Sequence, residues 1–210
     1  MTIFDTVTAE RRALVERLES LTDDEWETPS LCTGWTVKHV LAHLVTSFEM
    51  SVPRMAAYVV RARGIHAAVD RAARDIADDH TPSELLEILA ANAASTLRPP
   101  SMPPAAPLTD IVCHSADIRW PLGDALDDWG SDPARLLPSL DFLAAKHPSV
   151  FVDRGRLVGL RLVATDQDWS CGEGLRVSGT SLALAMAMIG REPALEQLEG
   201  HGVEVLASRG

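Results

Sequence analysis

Apolar positions at helical spacing organise most of the chain. Over residues 2–21, Leu14, Leu18 and Leu21 recur at three- and four-residue steps and predict a first helix; Thr22-Asp23-Asp24 then reads as a stop and a new start. Residues 29–34 read as a loop. After it Thr36 is placed to cap a long second helix with the stripe Val37, Val40, Leu41, Leu44 and Phe48, which Pro53 is expected to kink. Residues 70–80 are dense in charge and read as a helix end or a surface connection. Thr81-Pro82-Ser83-Glu84 combines a cap, a first-turn proline and an early acid, so a third helix is expected from there to about residue 97.

Five prolines in residues 98–107 exclude helix and central strand and predict an extended crossover. A fourth helix is expected from Pro107 to about Trp120, and another from Pro133 to about Lys146, closed by His147-Pro148. Beyond Phe151 the period changes. Val158, Leu160, Leu162 and Ala164 alternate as in a strand, residues 175–177 read as a second strand, and residues 203–206 as a third. Between them residues 181–189 are expected to form a small amphipathic helix ended by Gly190. The expected fold class is therefore α+β, mostly α: a helical bundle over residues 1–150 and a small α+β domain over residues 151–210.

Composition narrows the function classes. With 46% hydrophobic and 23% charged residues the chain is globular, and a formal charge of -11 argues against a nucleic-acid partner. The most apolar window, residues 182–189, is far below the roughly 20 residues of a membrane span. Asp5 and Glu10 interrupt the first residues, so no secretory signal is read and a cytoplasmic address is expected. Cys32, Cys113 and Cys171 are odd in number and never paired as C-x-x-C, which excludes a disulfide framework and a cysteine zinc knuckle; all three read as buried small hydrophobes. Asp127-Asp128 reads as a solvated acidic turn, and Gly172-x-Gly174 is read as lacking the strand, helix and basic residue of a phosphate loop.

Candidate chemistry gathers on two helices. On the second, His43 falls about 110° from the centre of the apolar stripe, while His39 lies nearly opposite it. On the fourth, Leu108, Ile111, Val112 and Ile118 define the buried side, and Asp110, His114 and Asp117 cluster within about 60° on its flank. Asp110 and His114, four apart, stack a carboxylate and an imidazole one turn from each other, a spacing suited to chelating one cation; His43 is the third candidate ligand. Two imidazoles and one carboxylate leave an open coordination position, as in a catalytic divalent site; zinc is the first candidate, and iron or nickel also suit the set. Asp117 either accepts the ring N–H of an imidazole or competes as the acidic ligand. The plainer reading of these residues is a hydrogen-bonded histidine at a core edge and a solvated Asp–His pair.

The segment Trp26-x-x-Pro29-Ser30-Leu31-Cys32-Thr33-Gly34-Trp35-Thr36-Val37, followed by Ala42-His43-Leu44, resembles the mycothiol-dependent maleylpyruvate isomerase family. Its members carry W-x-x-P-S-x-C-x-G-W-S/T-V into the second helix. Later comes an acid four residues before a histidine, then D-I/L-x-R-x-x-G; here that stretch carries Asp110 and His114 and reads on as Asp117-Ile118-Arg119-Trp120-Pro121-Leu122-Gly123, with the arginine one position earlier than in the pattern. Ala164-Thr165-Asp166, Trp169, Gly172-x-Gly174, Val177-x-Gly179 and Gly190-Arg191 resemble the family's small second domain. The resemblance implies a DinB-like four-helix bundle with metal ligands at His43, Asp110 and His114, the acid being more often Glu in the isomerase. It also implies a substrate-binding arginine, best matched by Arg191. The implied function is a cis–trans isomerase or thiol S-transferase that uses mycothiol or a similar low-molecular-weight thiol as metal-activated nucleophile, with an electrophilic small-molecule substrate. The implied protein is a monomer or homodimer with no nucleic-acid or membrane partner. The alternative is a non-catalytic metal- or ligand-binding DinB-like protein. Trp26, Trp35 and Cys32 are expected to cap and pack the bundle end.

Overall fold

Threonine caps start the first helices. In the computed structural model, which describes residues 2–99, 102–124, 132–145, 151–153 and 155–209, Thr2 and Asp5 exchange backbone and side-chain hydrogen bonds at the start of α1 (Ile3–Leu18). Thr22 and Glu25 do the same at the one-turn α2 (Asp23–Trp26). α3 (Val37–Glu49) buries the expected stripe of Val37, Val40, Leu41 and Leu44. Pro53 does not kink it. The chain leaves α3 at Met50, and Ser51 caps a new helix, α4 (Val52–Ala62), with Pro53 in its first turn, where no N–H is needed.

The charged stretch 70–80 is a helix end rather than a surface connection: it forms the C-terminal part of α5 (Ile65–Asp79), with His80 as its cap. Its buried face is built of Ala68, Ala72, Ala73, Ile76 and Ala77, a stripe whose small side chains give a weak apolar signal beside the charges. α6 (Pro82–Ala91) has the expected Thr81–Glu84 start but ends well before residue 97, where Asn92 turns its side-chain amide onto the Ile88 carbonyl. α7 (Ala105–Arg119) follows the proline-rich crossover. α1, α3, α6 and α7 pack on one another, α5 lies on α3, and α4 lies on α5. The expected buried side of α7 holds, but its polar flank is less open than the spacing implies. α1 and α3 pack on it, the loop before α3 reaches its last turn, and Thr109, Ser115 and Asp117 are buried with the apolar residues.

The chain divides into two compact units, Met1–Ala125 and Leu126–Gly210, ahead of the boundary expected near residue 150. The second begins with a 3₁₀ turn, Pro133–Leu136, and α8 (Leu137–Ala144), which packs on α9 (Ser181–Met188) and so belongs with it rather than with the bundle. The expected helix end at Lys146 and its His147-Pro148 closure, like the Asp127-Asp128 turn, lie outside the described residues. β1 (Leu160–Ala164) pairs antiparallel with β2 (Ser170–Cys171) and parallel with β3 (Leu175–Gly179), in the order β2-β1-β3. The third strand expected at residues 203–206 is instead α10 (Val203–Ala207), because Gly202 already spends its N–H on the Arg176 carbonyl and Leu206 closes a helical bond to Gly202. α9 is not amphipathic as expected: it is buried at every position, its Ala, Leu and Met side chains leaving no polar face. No helix among the described residues is long and apolar enough to cross a membrane.

Candidate metal centre

The loop ahead of α3 is a small closed structure. Pro29 and Thr36 form an antiparallel bridge. The Ser30 hydroxyl and N–H both donate to the Trp35 carbonyl at 2.9 Å, and the Cys32 N–H donates to the Ser30 hydroxyl at 3.1 Å. Gly34 turns the chain at φ +76°, a conformation unfavourable for residues with a Cβ. The Leu31 N–H then donates to the backbone carbonyl of Asp117 at 3.0 Å, docking the loop on the last turn of α7. Cys32 and Trp35 are thereby fixed beside the polar residues of α3 and α7.

His43, within α3, meets Asp110 and His114, which stand one turn apart on α7. His43 Nε2 lies 3.4 Å from Asp110 Oδ1, and His114 Nε2 lies 3.6 Å from the same oxygen. The two imidazole rings are edge to face at 4.7 Å. Strong charge-assisted N–H···O bonds are about 2.7–2.9 Å. Ligand atoms around a tetrahedral zinc with bonds of about 2.0–2.1 Å lie about 3.3 Å apart. The observed spacing is thus long for hydrogen bonds and close to the edge of a shared coordination shell. The side chains of His43, Asp110 and His114 are 17%, 34% and 15% exposed, so the cluster has a side facing solvent.

The other nitrogen of His114 faces a second cluster. Nδ1 donates to Asp117 Oδ2 at 2.9 Å, the Cys32 thiol donates to the same oxygen at 3.0 Å, and Cys32 Sγ is 3.7 Å from Nδ1. Asp117 is fully buried and Cys32 is buried. Both groups, His43/Asp110/His114 and Cys32/His114/Asp117, bring their ligand atoms close enough to hold a metal ion. They share His114 and differ in access.

Burial opposes the charge on His114, but the hydrogen bonds to Asp117 and Cys32 and the charge of Asp110 outweigh it and raise its pKa well above the usual imidazole range. Burial likewise opposes ionisation of Asp110, yet His43, His114 and the guanidinium of Arg11 hold its carboxyl below the ordinary value. Arg11 is itself buried. It donates to the carbonyls of Asn92, Ala93 and Ser95 and stands over the Phe48 ring at 5.3 Å.

His43, Asp110 and His114, separate in sequence, therefore meet, with Asp117 on the far nitrogen of His114. His39, on the opposite face of α3, accepts the Thr36 N–H through Nδ1 and belongs to the helix start. Arg191 lies in the second unit, half-buried, at the start of the 3₁₀ turn Glu192–Gln197. Trp26 is buried as expected of a packing residue. Cys32 carries the principal correction. Cys32 is buried but polar in its contacts, and the Trp35 ring lies 5.4 Å from that of His43 and 6.5 Å from that of His114. Their presence in the same short motif as the loop closure was the available signal. Cys171 is half-buried on β2, where the chain pairs with β1 on one edge only, and not fully buried like Cys113.

Two solved structures are similar over nearly the whole chain. The crystal structure of the mycothiol-dependent maleylpyruvate isomerase is 15% identical, with a TM-score of 0.53, covering 95% of this chain and 91% of that one. A histidine-to-alanine mutant of that isomerase matches at 14% identity with the same TM-score and coverage. At such identities the likeness is one of fold. No curated protein matches the sequence. Residues 7–129, which contain the loop, both histidines and both acids described above, match the mycothiol maleylpyruvate isomerase N-terminal domain, and the chain belongs to that family.

Proposed function

We propose that this chain is a metal-dependent enzyme that uses mycothiol or a similar low-molecular-weight thiol, as an isomerase or thiol transferase, and that His43, Asp110 and His114 hold the metal. The observation that carries this reading is the convergence of His43 Nε2 and His114 Nε2 on one Asp110 oxygen at 3.4 and 3.6 Å, on a side open to solvent. The donor set of two imidazoles and one carboxylate suits zinc with a position left for a further ligand. A divalent cation there supplies a lowered thiol pKa, so that the thiol is a nucleophile at neutral pH.

The protein's own residues do the positioning. Asp117 accepts a hydrogen bond from the Nδ1–H of His114, which fixes the ring with Nε2 toward Asp110 and increases its basicity. Asp110 brings the negative charge that an incoming cation needs. Arg191 is the candidate for holding an anionic group of the substrate; its support is the resemblance of Gly190-Arg191 to the family's second domain. The cis–trans isomerase and transferase readings share all of these parts.

A second reading, a non-catalytic metal-binding bundle, is favoured by the Cys32/His114/Asp117 group, whose burial suits a closed structural site. Calorimetric titration of the zinc-loaded protein with mycothiol separates the two. The enzymatic reading expects one thiol site that requires zinc and disappears in His43→Ala and His114→Ala, followed by turnover of maleylpyruvate or another electrophile. Full zinc occupancy in both variants, or thiol binding that ignores zinc, overturns it.

A further inference from the structure

The two imidazoles are held by different means. His114 has the carboxylate partner that commonly orients a metal-binding ring, Asp117 at 2.9 Å. His43 has none: its Nδ1 is buried and without a hydrogen-bond partner among the described residues. Its ring instead lies against two others, Trp35 at 5.4 Å with planes inclined 43° and His114 at 4.7 Å inclined 73°, both within the range of favourable aromatic pairs; Trp35 and His114 are 6.5 Å apart.

Trp35 is itself anchored away from the bundle core. Its Nε1–H donates to Asp70 Oδ1 at 2.7 Å. The same oxygen accepts from Arg74 Nε at 3.0 Å, and Arg74 also donates to the Gly34 carbonyl at 3.0 Å. Gly34, Trp35, Asp70 and Arg74 thus form a closed ring of contacts between the loop and α5. The side chains of Asp70 and Arg74 are 47% and 39% exposed. A cluster this accessible contributes little to core packing, yet it sets the angle of an indole that touches a metal-site histidine.

Resting on the metal reading above, we propose that Trp35 is the positioning residue of His43, doing by ring contact what Asp117 does by hydrogen bond for His114. Asp70 and Arg74 hold the indole in place for that purpose. α5, which supplies no ligand, thereby influences the metal site through Trp35.

Zinc affinity and the visible spectrum of the cobalt-loaded protein test this without any assay of turnover. Trp35→Phe keeps a ring but loses the bond to Asp70, and Asp70→Ala removes the anchor at a half-exposed position. Each is expected to weaken zinc binding about three- to tenfold at unchanged stoichiometry, the size of an aromatic contact expressed as a ratio of dissociation constants. Each is also expected to shift the cobalt d–d bands. Asp70→Asn, which retains the oxygen acceptor, is expected to return both quantities to wild-type values. Wild-type zinc binding that is lost in His43→Ala but unchanged in Trp35→Phe and Asp70→Ala overturns this inference alone. A wild-type protein that binds neither zinc nor cobalt overturns the metal reading as well.

Discussion

On the Nε2 side of His114, one Asp110 oxygen lies 3.6 Å from His114 and 3.4 Å from His43 at a partly exposed place; on the Nδ1 side, one buried Asp117 oxygen is bonded by His114 at 2.9 Å and by the Cys32 thiol at 3.0 Å. The residue types on both sides are metal-binding types, and within each group the ligand atoms lie within 4.8 Å of one another. Distance and burial separate them. The first spacing leaves room between the groups for a cation, and the second is already filled by two hydrogen bonds to one oxygen. One ring therefore joins a partly open group to a closed one.

The largest expected effect comes from removing the shared ring. His114→Ala is expected to abolish stoichiometric zinc binding, read by elemental analysis of gel-filtered protein. It also leaves Asp117 buried without its main partner, which should cost about 3–5 kcal/mol of stability in urea denaturation. Retained zinc at wild-type occupancy would mean that neither cluster is the site.

Asp117→Asn comes next. If Asp117 only supports His114, zinc should remain at one equivalent while its dissociation constant weakens about 10- to 100-fold. Loss of stoichiometric binding would move the site to the buried side. Cys32→Ala sharpens the same contrast with a smaller effect. Removing a thiol hydrogen bond to a carboxylate should cost about 1–3 kcal/mol of stability, with zinc affinity nearly unchanged.

The smallest effect lies beyond both clusters, where Asp124 is bonded by Arg17 and Arg119. The Arg17 hydrogen bond, opposed by burial and aided by Arg119, holds its carboxyl below the ordinary range. A lowered folded pKa contributes stability that is present above the unfolded value of about 3.9 and is lost as pH falls through the folded one. Asp124→Asn should therefore lower the urea midpoint at pH 7 and flatten its decline in the acid limb. Parallel acid limbs for wild type and variant would contradict the assignment.

Much of the bundle was legible because its helices announce themselves locally. The Thr2, Thr22 and Thr81 caps and the α3 stripe act over one or two turns, and the sequence contains all of their parts. α5 was not legible, since alanines bury a face without the hydrophobic contrast that periodicity detects. At 203–206 an apolar–polar alternation fits a short strand and a single helical turn equally, and the prior pairing of Gly202 with Arg176 decides between them. His43, Asp110 and His114 were readable from spacing and motif. The roles of Cys32 and Trp35 depend on a loop that folds back onto α7, a tertiary contact through Leu31 and Asp117 that no local pattern encodes.

Absorption spectroscopy of the cobalt-substituted protein, with no added thiol, measures the ligand set most directly. Coordination by His43, Asp110 and His114 predicts visible d–d bands, no sulfur-to-cobalt charge-transfer band in the near ultraviolet, and a spectrum that Cys32→Ala leaves unchanged. A charge-transfer band that vanishes in Cys32→Ala would place the metal on the buried side of His114 and contradict the open site.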